Sequence, residues 1–456
     1  MRAAPGRRRG QRRLKLAAMS TTLLAFALAL TGSGCGATPG KPGAPTPIVL
    51  AAKSSPAAAA TSPAAVAAPA TCGTAKLVEG RVMRAAPARP KPAKGVVFDE
   101  PTFHTCVVRA TDHAKEGVDT FLRNDYSRRQ AFNADDTLFL VNSADGGWFL
   151  YDARTVAKLK PLKDLHGDAE PQWHPTDPNT LFYGERDGGL QITALDVRKD
   201  SSKVVIDLRG KLPWPKAARA WTKSEGSPSR DARYWGLQVE TADFAILGFV
   251  VWDMVANKLV GSMPAKSRPD HVSMTPSGRW FEISDDDGTV AWTPDFKRKR
   301  LLHKKSEHSD IAIGANGHDV YVSIDYQSDD GSIFMVDIDS GEKTNLMRTY
   351  VNGSATAIHV SGKAYDKPGW VLMSMYNGSA PNQWYTDKVF AMELRANPRV
   401  YQLAAHHSAV KDTYMAEPHA SVNRDFTRVL FNSNWGVAGS TDVDAYMIRL
   451  PKGAFP

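Results

Sequence analysis

Between residues 98 and 456 the chain repeats one pattern seven times: an apolar strand, a polar turn, a second strand, a second turn and a third strand. The first turns are Asn133-Ala134-Asp135-Asp136, His174-Pro175-Thr176-Asp177, Pro228-Ser229-Arg230-Asp231, Thr275-Pro276-Ser277-Gly278, Gly314-Ala315-Asn316-Gly317, Ser361-Gly362-Lys363 and Asn423-Arg424-Asp425. The second turn is often Asp-Gly, as at 145–146, 187–188, 287–288 and 330–331, and Asp-Gly supplies the positive φ angles of a tight hairpin. Third strands end at an acidic corner, as in Phe149-Leu150-Tyr151-Asp152 and Val250-Val251-Trp252-Asp253. Units that recur at roughly 40–60 residues and are rich in Val, Ile, Phe, Tyr and Trp predict an all-β, seven-bladed β-propeller of four-stranded blades. The seventh unit stops after its third strand, Tyr446-Met447-Ile448-Arg449-Leu450. The run His104-Thr105-Cys106-Val107-Val108-Arg109 precedes the first unit and has no blade of its own, so it is expected to complete the seventh and close the ring.

What precedes the repeats reads as export and tether. Seven basic residues (Arg2, Arg7, Arg8, Arg9, Arg12, Arg13, Lys15) are followed by an apolar stretch from Leu16 to Leu30 and by small residues up to Cys35. That order is a secretory signal, too short for a spanning helix. Residues 1–35 therefore read as a signal peptide ending in a lipoprotein-like cysteine, with Cys35 the lipidation candidate and Gly32 where such boxes usually carry Leu. Residues 36–97 read as an Ala/Pro-rich disordered linker, because they hold few side chains worth burying. The domain is expected over 98–456, in an exported, periplasm-facing, membrane-anchored lipoprotein. The formal charge of +9 is mostly the signal's own, which removes the case for a nucleic-acid partner. Of three cysteines, Cys72 and Cys106 remain for a disulfide between linker and first strand.

Inner strands of a propeller start near its axis, so residues just ahead of each first turn converge on one face. These are Arg128, Arg129 and Gln130; Glu170 and Gln172; Asp270 and His271; His308 and Asp310; His359; and Glu417 and His419, with His406 and His407 in the loop before the last unit. Imidazoles and carboxylates from different blades suit a divalent metal, and an unligated His or Arg suits a base. Taken singly, His359 and His174 read as packing or hydrogen-bonding residues. Arg128-Arg129 suits either an acidic sugar or internal ion pairs. Asp285-Asp286-Asp287 precedes Gly288 and reads as a solvated hairpin, not a calcium loop. Phosphate-loop, His-Glu-x-x-His and Gly-x-Ser-x-Gly motifs do not occur.

Several collinear stretches resemble the oligogalacturonate lyase family, propellers related in architecture to TolB. Arg109-Ala110-Thr111-Asp112 resembles its R-L-T-D, and Glu170-Pro171-Gln172-Trp173-His174-Pro175 through Asn179 its G-H-P-Q-F-C-P-x-D-P-N. His407-Ser408 with Glu417-Pro418-His419-Ala420-Ser421 is similar to its H-S and Q-x-x-H-P-H-P-S. The resemblance implies β-elimination of uronate oligosaccharides at a manganese-type metal held by His and Gln, with a separate His as base. Carried over by position, His271 is the base, and His308 and His419 are metal ligands. Glu417 replaces a ligand His, Tyr414 the ligand Gln, and Glu170 the His of G-H-P-Q. The reading that results places His271, Arg129 and Tyr414 in catalysis, Arg128, Gln172 and His407 toward substrate, and His308, Glu417 and His419 at a metal. The alternative is a non-catalytic, TolB-like propeller that binds envelope proteins or glycans. Partners are thus an acidic oligosaccharide or an envelope protein, and the membrane through the lipid anchor.

Overall fold

The computed structural model describes residues 77–456 apart from 87, 101, 330 and 412. Cys35 and Cys72, with the signal and most of the tether, lie outside the described residues. Cys106 is disulfide-bonded.

Antiparallel blades form in sequence order. Blade 1 comprises Phe121–Arg123, Leu138–Ser143, Gly147–Asp152 and Lys158–His166. Blade 2 is Gln172–Trp173, Thr180–Gly184, Gln191–Asp196 and Ser201–Asp207, and blade 3 is Arg219–Trp221, Tyr234–Glu240, Ile246–Asp253 and Lys258–Pro264. Blade 4 is His271–Met274, Phe281–Asp285, Gly288–Trp292 and Lys299–His303, and blade 5 is Ser309–Ile313, Asp319–Asp325, Ser332–Asp337 and Lys343–Arg348. Blade 6 is Ala357–Ser361, Trp370–Tyr376, Lys388–Glu393 and Val400–Ala405, and blade 7 starts with Ser421–Val422, Arg428–Ser433 and Val443–Arg449. The seven-bladed reading of the sequence is the fold.

Burial follows from blade-on-blade packing. Second strands such as Asp319–Asp325 and Trp370–Tyr376 are covered on both faces and buried throughout, their few polar residues included. Val322 and Ile324 pack with Val371 and Met373 in one such interface. Outermost strands face water, and Lys158–His166 and Ser201–Asp207 are accordingly Lys- and Ser-rich and largely exposed. Gly236 is required between blades 3 and 4, because a Cβ there would lie 2.3 Å from the Phe281 ring.

The ring closes as the sequence predicts. Thr105–Arg109 forms the fourth strand of blade 7, pairing antiparallel with Val443–Arg449 through Cys106–Arg449 to Arg109–Tyr446. The folded region starts earlier than the expected boundary at residue 98. Val97–Glu100 adds a fifth strand outside Thr105–Arg109, and Val78–Glu79 adds one to the outer edge of blade 6. Between them, Gln402 Nε2 donates to the carbonyls of Gly80 and Val82, and Trp435 Nε1 donates to that of Arg89. The Ala/Pro composition of this stretch hid these contacts, since they are made mainly by backbone groups.

A buried carboxylate fixes the junction. Asp444 accepts from Arg109 Nη2 (2.7 Å) and from the backbone N–H of His113 (3.0 Å), and pairs with Lys91 Nζ (2.7 Å). Burial opposes its ionisation, but His113, Lys91 and Arg109 outweigh burial and hold its pKa below the usual carboxylate range. A carboxyl with a depressed folded-state pKa stabilises above its unfolded pKa of about 4, and that contribution is lost as pH falls below it. Asp444→Asn leaves Arg109 without its buried counter-charge and is expected to cost about 3 kcal/mol in denaturant unfolding at neutral pH. The difference from the parent should shrink as the measurement is moved into acid.

Candidate functional site at the channel mouth

The starts of the inner strands and the loops ahead of them bring a charged and aromatic group together at one end of the axial channel. Its centre is His359, on the inner strand of blade 6, with Glu417 and His419, just ahead of the inner strand of blade 7. One ligand atom from each lies within 4.8 Å of the others. Glu417 Oε2 is 3.3 Å from His359 Nε2 and 3.4 Å from His419 Nε2. Both imidazoles are fully buried, while Glu417 retains some exposure.

The surroundings hold these rings. Tyr126 packs edge-on to His359 at 5.3 Å and tilted on His419 at 4.7 Å. Tyr376 stacks on His359 at 4.7 Å and places its hydroxyl 3.4 Å from His359 Nε2. His419 sits in the left-handed region (φ 38°), fixed there by Asn124 Nδ2 donating to its carbonyl at 2.6 Å. Asn124 is itself clamped by Asn432 through bonds of 2.8 and 2.9 Å. Glu170, Ser224, Glu225 and His407 are also left-handed without being glycine. Burial, with His308, Arg128 and Arg123 close by, pushes the His359 pKa well down; burial and His359 do the same to His419 against Glu417. Two neutral imidazoles and a carboxylate, with His359 Nδ1 and His419 Nε2 buried and unbonded, fit a first-row divalent ion in donor type and spacing.

Arg123 imposes one condition on that fit. Its Nη1 lies 2.8 Å from His419 Nδ1. Guanidinium only donates, so Nδ1 accepts and the proton of neutral His419 sits on Nε2, facing Glu417. Metal-binding histidines ordinarily donate from their second nitrogen. A metal taken at Nε2 must therefore displace a proton that Arg123 holds in place.

The expected site residues separate into those the fold brings together and those it does not. Glu417 and His419 are at the centre, joined by His359. His308 lies beside them, its ring 4.9 Å from His359 and its Nδ1 donating to the Ile358 carbonyl at 2.7 Å. Tyr414 is half-exposed on the turn Tyr414–Ala416, with its ring 5.0 Å from His419. His271 is not free as a base. Its Nδ1 faces Asp270 Oδ2 at 3.2 Å and its Nε2 faces Glu282 Oε1 at 3.3 Å, so both nitrogens are held as donors. Burial and Arg128 lower its pKa, yet Glu282 and Asp270 prevail and raise it. Arg129 spends its donors on Asp125 (2.5 Å), the Pro171 carbonyl (3.0 Å) and Glu170 (2.8 Å), which makes it a tie between blades 1 and 2. Gln172 likewise donates to the Gly226 carbonyl at 2.7 Å. The His407 ring lies 4.5 Å from Trp435, and burial lowers its pKa to about 4. Arg128 remains buried at the channel wall with its guanidinium over Tyr126 at 5.2 Å.

A seven-bladed propeller with a His/Glu/His group at its axial mouth is the class that fold and site define. No protein-family model and no curated protein matches the chain. Its fold is similar to a solved oligogalacturonate lyase in complex with manganese (TM-score 0.58, 16% identity, 80% of this chain and 100% of the other). It is similar to the same degree to an oligogalacturonate lyase from Vibrio parahaemolyticus (TM-score 0.56, 15% identity, 80% and 100%).

Arg123→Met removes the donor that fixes the His419 tautomer and a cation beside the site. It is expected to tighten manganese or zinc binding on the order of ten-fold in calorimetric titration, the size of an outer-partner effect with its sign reversed.

Proposed function

We propose that this propeller binds uronate-containing oligosaccharides across its channel mouth and acts on them as a diverged, metal-dependent β-eliminating lyase. The observation that carries the reading is the buried convergence of His359, Glu417 and His419 in a fold shared with oligogalacturonate lyases. The three residues would hold a manganese-type divalent ion, which when bound supplies a Lewis acid for a substrate carboxylate. The chain's own residues do the rest. Tyr126 and Tyr376 exclude water from the imidazoles, and Tyr414 stands at the open side as a proton donor for the leaving oxygen. His308, whose Nδ1 donates to the Ile358 carbonyl and leaves Nε2 bare, would take the proton α to the substrate carboxylate, while His271, fixed between two carboxylates, contributes charge. Export and a lipid anchor at Cys35 belong to the same proposal, resting on the N-terminal signal, and would set the site facing periplasmic or external polysaccharide.

The engaged state of His271 also favours a second reading, in which the site binds an acidic glycan or an envelope partner without cleaving it. One experiment separates them. Chelated protein is reloaded with manganese, zinc or calcium, its metal content measured, and oligogalacturonates added while the absorbance of an unsaturated product is followed. The lyase reading expects about one metal per chain, lost in His359→Ala and Glu417→Ala, and product formation that needs it. Metal without product supports the binding reading, and neither metal nor product contradicts the metal centre.

A further inference from the structure

Arg128 is a buried guanidinium at the channel wall that faces the carboxylates of Glu225, Asp270 and Glu282, yet among the described residues it makes no hydrogen bond to any of them. Its side chain is 7% exposed, and its Nε and Nη1 are buried with no hydrogen-bond partner among the described residues. The nearest carboxylate oxygen, Glu225 Oε2, is 3.8 Å from Nη2, too far for a hydrogen bond. Buried donors that make no hydrogen bond are unfavourable until a partner takes them up. Its neighbour Arg129, with every donor nitrogen satisfied, shows what a purely structural arginine looks like at the same depth.

Glu225 is equally unusual. It follows Ser224 in a two-residue left-handed stretch (φ 56° and 62°) that neither side chain favours. The loop is held because Thr222 Oγ1 and the Glu225 N–H both donate to Glu170, each at 3.2 Å. Gly226 permits this close approach, since a Cβ there would fall 1.9 Å from the Val272 carbonyl oxygen. From this loop the Glu225 carboxyl stands toward Arg128 without hydrogen-bonding it. Asp125, Arg128, Glu170, Arg129, Tyr126 and Tyr414 are the charged and titratable groups that act on it. Burial, with Asp125 and Glu170, outweighs Arg128 and raises its pKa to about 7.

We propose that Arg128 is a metal-independent anchor for a ligand carboxylate, and that Glu225 takes up a proton when that carboxylate occupies the guanidinium. Guanidinium edges match a planar carboxylate, and two carboxylates sharing one cation cannot both stay charged at low cost. This deepens the uronate reading by naming where the acid group sits, but it needs neither metal nor turnover. The sign follows directly. Binding is linked to protonation of Glu225, so affinity falls as pH rises through the range in which free Glu225 ionises.

The test is calorimetric titration of chelated full-length protein with D-galacturonate, and with D-galactose as the uncharged control, at pH 6 and pH 8. The expected result is galacturonate binding that weakens about ten-fold between the two pH values with proton uptake, and no binding of galactose. Arg128→Ala should abolish it. Glu225→Gln, nearly isosteric, should bind as tightly at pH 8 as the parent does at pH 6. His271 also loses charge with rising pH, so Glu225→Gln is the variant that assigns the effect, and it serves if Arg128→Ala does not fold. Equal binding to the Arg128→Ala protein, equal binding of galactose, an unchanged pH dependence in Glu225→Gln, or no galacturonate binding to the chelated parent each overturns the proposal. Failure of metal loading or turnover leaves these outcomes unaffected and bears on the lyase reading alone.

Discussion

Closure of the ring is the constraint on which the site depends. Blade 7 lacks a fourth strand until Thr105–Arg109 enters it, and Asp444 anchors that strand from the opposite side of the sequence. The same junction pairs Val443 with Phe121 in parallel and locks Asn124 to Asn432. Arg123, Asn124 and Tyr126 thus stand on one side of the closure, and Glu417 and His419 on the other. Whatever loosens the N-terminal strands loosens the histidine centre with them. Val78–Glu79 and Val97–Glu100, added as edge strands on blades 6 and 7, reinforce the place where the chemistry is gathered.

The channel mouth is organised by unequal treatment of like residues. His359 and His419 are driven neutral by burial among cations, whereas His271 is driven toward its charged form by two carboxylates. Arg129 is fully bonded, and Arg128 is not. The neutral imidazoles suit a metal, and the unsatisfied guanidinium suits an anion. An acidic sugar is a ligand that a metal and a guanidinium can share. Arg123 works against the metal by holding the His419 proton on the wrong nitrogen.

Much of the fold was legible because strand periodicity and Asp-Gly turns are local signals. Asp187-Gly188, for instance, is left-handed at both residues, as its hairpin requires. Closure by residues 104–109 was legible from a strand with no blade of its own. The start of the folded region was not, because Val78–Glu79 is held by pairing that composition does not encode. Within the site, Glu417 and His419 were legible from their place ahead of the last inner strand and from the stretch that resembles H-P-H. His359 stood among the converging positions, but one His without a sequence partner reads as packing. His271, Arg129 and Gln172 stand where the blade register puts them, but their hydrogen-bond partners were not legible, since sequence shows which residues converge and not which of their atoms are already bonded. Arg123 and Glu225 gave no local signal: one matters through the tautomer it imposes, the other through a strained loop.

The central claim is that blades 6 and 7 assemble a metal-capable His359–Glu417–His419 group. Manganese-soaked crystals measured for anomalous scattering test it most directly. The account predicts one strong peak bonded to all three side chains, with Arg123 withdrawn from His419 Nδ1. A peak elsewhere on the chain, or none at saturating manganese with Arg123 still in place, would contradict it.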